Sequence, residues 1–241
     1  TLPARVVLRS PTQLDIPKKI IRYRCRILRS DVKSLKSSMN SDIFFRESVK
    51  QVFTKGGCIL DVGAGLRIDS TRGNRTDPAR DWIKPLLEKV EYKVLDPVDT
   101  YHPDIVGDIM QAPLPDVSCD SVICLAVLEH VPRAWDAVAE IYRILKPCGF
   151  LFGYVPFLSP YHAMEGYYGD YVRFTDDGIR ALCSSFSKTD ICHVRGPAET
   201  ILHLLPARVK LCVCVSLART FDRFYPGSGK QASGFFFFCT K

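Results

Sequence analysis

Three short runs place acids and glycines where a nucleotide-like ligand could be held. Asp61-Val62-Gly63-Ala64-Gly65 directly follows the apolar run Cys58-Ile59-Leu60. A strand that ends in a glycine turn lets the backbone come close to a ligand, and open α/β sheets bind ligands at the carboxyl ends of their strands. The acid before the first glycine suits a ligand with a cationic end. The second acid, Asp96, closes the run Tyr92-Lys93-Val94-Leu95-Asp96. A carboxylate there can accept both hydroxyls of a ribose. The third run, Gly107-Asp108-Ile109, offers a carboxylate and an apolar side chain for an adenine. A dinucleotide fingerprint would need glycine at position 68, which is Ile68, and no Gly-Lys-Ser/Thr ending follows. NAD and ATP both lose ground on those residues.

Proton chemistry would fall to histidine, of which there are 5. His130 follows the apolar run Ser121–Val127, so it is expected at the mouth of the same crevice, where its titration range suits a general base. Orienting its loop through a hydrogen bond is the alternative role. His162 is the second base candidate and closes the run Pro156-Phe157-Leu158-Ser159-Pro160-Tyr161-His162. Beyond it lies Gly169-Asp170-Tyr171-Val172-Arg173-Phe174-Thr175. Tyr161 and Tyr171, with Tyr167 and Tyr168, offer faces that could stack on a sugar or another ring. Arg173 could bind a carboxylate or phosphate, or with Tyr171 and Phe174 lock the loop onto the next helix. The 10 cysteines contain no Cys-x-x-Cys, and the tightest pair is Cys212-x-Cys214. Zinc needs paired ligands at workable spacing, so no metal set is read here. Cys58, Cys124, Cys192 and Cys239 sit in apolar runs and read as buried free thiols of a reducing compartment.

These residues need a scaffold, and the patterning supplies one. Residues 42–54 read as a helix capped at Ser41 or Asp42 and ended by Gly56-Gly57. Residues 66–81 read as a polar loop, followed by a short helix to Lys89 with Pro85 in its first turn. Strands are expected at 58–62, 92–96, 104–106, 121–127, 150–155, 190–195 and 235–240. The fourth is nearly continuous in apolar residues, as a strand covered on both faces should be. Residues 133–146 form an amphipathic helix with Val138, Ile141, Tyr142 and Leu145 on one face, and residues 175–186 a helix capped by Thr175. Strands alternating with helices mean a doubly wound parallel sheet.

The chain of 241 residues is 46% hydrophobic and 24% charged, an ordinary globular balance. No apolar run reaches the ~20 residues of a membrane-spanning helix. The net charge of +7 is uneven: residues 1–50 hold 12 Lys/Arg against 4 Asp/Glu. Residues 1–41 are therefore read as a basic arm or helix, densest from Lys18 to Arg29. It would either pack Ile20, Ile21, Ile27 and Leu28 on the domain or meet an anionic surface, lipid or RNA. The apolar stretch within 199–224 reads as a helical insertion broken at Pro206. A cytoplasmic protein, with a peripheral membrane contact left open, is the expected setting; the oligomeric state is not readable.

Taken together the motifs are similar to those of class I S-adenosylmethionine-dependent methyltransferases, in the small-molecule subgroup called type 11. The resembling runs are Ile59–Gly65, Asp96, Asp104–Ile109, Ala112–Asp116, Ser121–Val131 and Glu140–Gly149, with residues 235–241 similar to the last strand. The resemblance implies a seven-stranded Rossmann-like sheet whose seventh strand runs antiparallel beside the sixth, with residues 42–241 as the methyltransferase domain. It implies that Asp61, Gly63, Ala64 and Gly65 line the methionine end of S-adenosylmethionine and that Asp96 binds the ribose. Asp108 and Ile109 would flank the adenine, and Leu125 and Ala126 would close the pocket. One departure stands out: many relatives carry a further glycine where this chain has Arg67. The loop from Arg67 through Arg72, Arg75 and Arg80 reads as a solvated surface loop, with contact to an anionic acceptor as the other reading. The pattern from Pro156 to Thr175 resembles methyltransferases of glycan and cell-envelope biosynthesis. The expected function is methyl transfer to a small molecule, a sugar or a glycan/lipid precursor. An RNA methyltransferase using the basic arm is the alternative, disfavoured because no RNA-binding module is read. A non-catalytic binding module on the same fold is the third reading.

Overall fold

The computed structural model describes residues 40–73, 76–205, 215–225 and 230–241. The basic arm, apart from its last two residues, lies outside them, as do Arg75 and the Pro206 break. Seven strands form one sheet in the order β3-β2-β1-β4-β5-β7-β6. They are β1 (Cys58–Val62), β2 (Glu91–Asp96), β3 (Ile105–Val106), β4 (Cys119–Leu125), β5 (Leu145–Pro156), β6 (Lys188–Val194) and β7 (Gly234–Thr240). β7 runs antiparallel to both its neighbours, with Phe152 opposite Phe238 and Cys192 opposite Phe236. The other pairings are parallel. This is the topology the sequence resemblance implied.

The order reverses between β1 and β4. Chain leaving β1 goes to β2 on one side, and chain entering β4 goes on to β5 on the other. A crevice opens at such a switch point, at the carboxyl ends of the strands. The β1–β4 register pairs Leu60 with Val122 and Val62 with Cys124, so both strands end at the same level.

Helices cover the two faces. α1 (Ser41–Lys55) starts at Asn40, whose side chain accepts from Asp42 N–H at 2.8 Å. The cap is thus one residue earlier than expected. Its Phe44 and Phe45 rings meet Phe236 of β7 at centroid distances of 6.5 and 5.7 Å. α2 (Ala134–Ile144) buries Ala134, Ala137, Val138, Ile141 and Ile144, the stripe of a helix lying on a sheet. Full burial of Ile141 alone is worth about 1.5–3 kcal/mol. α3 (Asp176–Leu182) is capped by Thr175, whose hydroxyl accepts from Gly178 N–H at 3.0 Å.

Some boundaries differ from expectation for identifiable reasons. β4 ends at Leu125 because Ala126 takes φ +56° and leaves the extended region. α2 ends at Ile144 because Pro147 disfavours helical geometry at Lys146, and the chain passes straight into a longer β5. Residues 78–89 are a 3-10 helix with Pro85 in its interior. Asp77 caps it by accepting from Ala79 N–H at 3.1 Å, and Pro78 holds the first position, so the helix starts seven residues before Pro85, which lies in its interior and not in its first turn. The 199–224 insertion meets α4 (Pro197–Leu204) and α5 (Val215–Phe224), linked where Asp222 accepts from Ala198 and Glu199 N–H at 2.8 and 3.0 Å. Cys58, Cys119, Cys124, Cys183, Cys192 and Cys239 are free thiols. No helix of the described residues is long and apolar enough to cross a membrane.

Candidate functional site

A cavity of about 380 Å³ opens at the β1–β4 switch point. Gly63, Gly65, Asp96, Asp108, Ile109, Leu125, Ala126, His130, His162 and Tyr171 all line it. Asp61, Ala64, Tyr161 and Arg173 do not.

The glycine turn is built from below by Asp61. Its buried carboxylate accepts from Gly65 N–H at 2.9 Å, Leu66 N–H at 3.0 Å and the Tyr92 hydroxyl at 2.6 Å. Burial pushes its pKa up to about 6 against those three bonds and the nearby Arg80 charge. These bonds go to the turn and to β2, so the acid acts on the cavity through the backbone it holds. Arg80 closes the turn from the other side, donating to the Gly65 carbonyl at 2.6 Å with its guanidinium over the Phe45 ring. Arg72 donates to the His102 carbonyl and to Asp104. Arg80 thus ties its segment to the glycine turn and α1, and Arg72 ties the loop to the segment before β3.

Two glycines are demanded by geometry. Gly63 has φ +71°, and a Cβ there would meet Val127 Cγ2 at 2.8 Å. A Cβ on Gly65 would lie 2.8 Å from Leu125 Cβ and 3.0 Å from its carbonyl oxygen. The turn and the end of β4 therefore approach as closely as two backbones can while the cavity floor stays open. Arg67 adopts φ +52°, the left-handed conformation that favours glycine. The backbone therefore retains a glycine-like conformation at the position where the sequence departs, and the Arg67 side chain lines the cavity.

Asp96 ends β2 facing the cavity. One oxygen accepts from Val98 N–H at 2.8 Å, and burial raises its pKa. Asp108 caps the short 3-10 turn Ile109–Gln111 through Met110 N–H at 2.8 Å, which sets buried Ile109 beside it. A cradle kept free of Cβ atoms, an acid with hydroxyl-accepting capacity and an acid–apolar pair along one cavity fit the three parts of S-adenosylmethionine.

The rest of the lining includes an aromatic and titratable cluster. The segment 161–171 folds over it, with Tyr171 N–H donating to the Glu129 carbonyl at 2.8 Å. Tyr167 stacks on Tyr101 at 5.9 Å, and Tyr168 meets His130 at 4.4 Å between centroids. Tyr161 points away, 76% exposed. Arg173 is paired with Asp170, one of its nitrogens at 2.6 Å, and holds that carboxyl well below the usual range. His130 and His162 stand edge to face at 4.8 Å, on either side of buried Glu129. Glu129 and Tyr101 were not singled out from the sequence. Glu129 precedes His130 directly, and that dipeptide was the available signal.

Comparison with known proteins agrees with this geometry. The family model described as "Methyltransferase domain" matches residues 77–153. An uncharacterized methyltransferase of Mycobacterium tuberculosis is 31% identical over 107 residues, 43% of this chain and 52% of the relative. A second, from Mycobacterium bovis, is 30% identical over 113 residues, 46% of this chain and 44% of the relative. The chain thus spans about half the length of the curated relatives it matches. A crystal structure of a SAM-dependent methyltransferase from Archaeoglobus fulgidus superposes with a TM-score of 0.51 at 15% identity, covering 80% of this chain and 89% of that one. A Haloferax volcanii putative methyltransferase, solved with the Trm112 activator, gives 0.51 at 15% identity, with 81% and 87% covered. These two share the fold.

Proposed function

From the premise that the chain carries an S-adenosylmethionine-dependent methyltransferase domain, we propose that it transfers the methyl group to a small-molecule acceptor, a sugar or a glycan/lipid precursor. The observation that carries this reading is one cavity lined together by the glycine cradle, Asp96, His130 and His162. Bound there, the cofactor would supply an electrophilic methyl on its sulfonium.

The chain's own residues would do the rest. Asp96 would accept the ribose hydroxyls, and burial strengthens bonds to that carboxylate by excluding competing water. Asp108 and Ile109 would flank the adenine. Gly63 and Gly65, held open by Asp61, would present backbone to the methionine end, and Leu125 and Ala126 would close the pocket. Displacement at a methyl carbon needs nucleophile and donor about 3 Å apart and in line, so the acceptor must enter from the histidine end. Tyr167, Tyr168 and Tyr171 line the cavity with the two histidines and offer stacking faces for a flat or pyranose ring. A hydroxyl or ammonium acceptor must lose a proton, and His130 and His162 are the titratable side chains placed to handle it.

Calorimetric titration with S-adenosylmethionine tests the cofactor half, with Asp96→Ala beside the wild type. Saturable binding that the variant loses is expected; a folded wild type that binds none refutes it. Incubation with methyl-labelled donor and a panel of sugars and lipid-linked glycans then tests the acceptor, with label in a polymer such as RNA as the contrary result.

A further inference from the structure

One group beside the cavity has needs that its neighbours leave unmet. The Glu129 side chain is 1% exposed, and neither carboxylate oxygen has a hydrogen-bond partner among the described residues. Burying a carboxylate without a partner costs several kcal/mol, a cost that a bound cation or the loss of the charge relieves. The nearest candidates are two imidazole nitrogens, His130 Nε2 at 3.8 Å and His162 Nε2 at 3.7 Å from Oε1. Both are beyond hydrogen-bond distance.

The opposite nitrogen of each ring explains what these atoms offer. His130 Nδ1 lies 2.6 Å from the Gly169 carbonyl. A carbonyl only accepts, so this nitrogen carries the proton. His162 Nδ1 lies 3.0 Å from the Pro160 carbonyl and 3.4 Å from the Asp170 carboxylate, and it carries the proton for the same reason. In the neutral rings both Nε2 atoms are therefore lone pairs. Two imidazole lone pairs and a carboxylate converge, with ligand atoms all within 4.8 Å of one another.

We propose that Glu129, His130 and His162 bind a divalent first-row transition cation at the acceptor end of the cavity. Two imidazoles and a carboxylate form the donor set of zinc sites and of facial iron(II)-type sites, with the remaining positions open. Ligand atoms around a tetrahedral zinc stand about 3.3 Å apart, so the Glu129 edges, at 3.7 and 3.8 Å, are a few tenths of an ångström wide, and the widest edge of the set, up to 4.8 Å, would have to close by up to about 1.5 Å through a turn of the exposed His162 side chain on cation binding. A carbonyl or carboxylate on the far nitrogen is what orients metal-bound histidines, and both rings have one. Both histidines line the cavity, so the open positions face the space assigned to the acceptor and would hold one of its oxygens. That last role rests on the methyl-transfer reading and would replace the proton handling given there to the two histidines, since the cation would occupy both Nε2 lone pairs; the binding of the cation does not rest on that reading.

The test uses the full chain, stripped with a chelator and dialysed. Co²⁺ is titrated by visible absorption and Zn²⁺ by calorimetry. One equivalent of each is expected to bind, with a ligand-field spectrum for Co²⁺. Glu129→Gln and His162→Ala should each weaken binding by at least about 10–100-fold. Absence of stoichiometric binding by the wild type overturns the proposal, as does unchanged affinity in both variants. If Glu129→Gln does not fold, His162→Ala decides, because that side chain is 39% exposed on its loop. S-adenosylmethionine is titrated into the same preparation. Cobalt binding without cofactor binding refutes methyl transfer and leaves the cation site standing; the reverse refutes the cation site alone.

Discussion

Replacing Tyr92 with phenylalanine removes one oxygen and leaves the ring where it is. That oxygen donates to Asp61 Oδ2 at 2.6 Å. The Tyr92 hydroxyl stays protonated, since burial and then the Asp61 charge push its pKa up. Asp61 titrates at about 6 in the fold, above the ordinary value of about 3.9. The folded state therefore holds its proton more tightly than the unfolded chain does. The stability this group contributes is fully present below about pH 4 and is lost as pH rises through about 6. At about pH 8 the lost bond would be one to a carboxylate, worth about 1.5–3 kcal/mol. At about pH 5 Asp61 is about nine-tenths protonated in the fold, and a neutral bond is worth about 0.5–1.5 kcal/mol. Tyr92→Phe should therefore cost about 1 kcal/mol more at pH 8 than at pH 5, equivalent to a rise of somewhat under one unit in the Asp61 pKa. Urea unfolding of both proteins at the two pH values measures this, with equal slopes as the check on the comparison. Equal penalties, or a larger one at pH 5, would refute the account of Asp61 as the strained support of the turn.

Gly65→Ala drives a Cβ to 2.8 Å from Leu125 Cβ and 3.0 Å from its carbonyl oxygen; it should cost about 1–3 kcal/mol in stability and weaken S-adenosylmethionine at least about tenfold by calorimetry. Asp96→Asn removes the negative charge offered to the ribose while nearly keeping its shape, and a loss of about 1.5–3 kcal/mol in cofactor binding is expected, read as a fall in affinity with the melting temperature little changed. Gly153→Ala would place a Cβ 2.0 Å from Phe237 Cζ, and with that ring fully buried in the core that α2 and α3 cover, on the sheet face opposite α1, the variant should be destabilised by about 3 kcal/mol or more; adding Phe237→Leu should recover a measurable part of the loss in thermal unfolding.

Much of the scaffold was legible because its signals are local. A continuous apolar run identifies β4, and the acid–glycine turn identifies the end of β1; neither depends on distant residues. The Asp77-Pro78 helix start is equally local, but Pro85 offers a rival start seven residues on. The acceptor end was harder. Glu129 and His162 come together only because the Tyr171 and Val172 N–H groups bind the Glu129 carbonyl and bring the loop back. A sequence read along its length shows the two residues but not their meeting. Arg173 shows the opposite effect: its type suggested an anion site, while its carboxylate partner lay three residues away in the same loop. Arg67 was legible as a departure, but its positive φ had to be seen to know that the backbone had not departed with it.

The place of β7 between β5 and β6 bears on how the chain is made. β7 follows β6 in sequence, yet every rung that ties β6 to the sheet passes through β7. Until β7 leaves the ribosome, β6 has no partner strand, and β5 presents an open edge running from Leu145 to Pro156. Such edges recruit other chains, and pairing across long sequence separations forms slowly. Phe235–Phe238 must then enter as a wedge between two strands already synthesised, with Gly153 leaving the gap that admits Phe237. The nascent protein thus passes through a stage with an incomplete sheet, and protection by a chaperone should matter most in the interval between the synthesis of β6 and of β7.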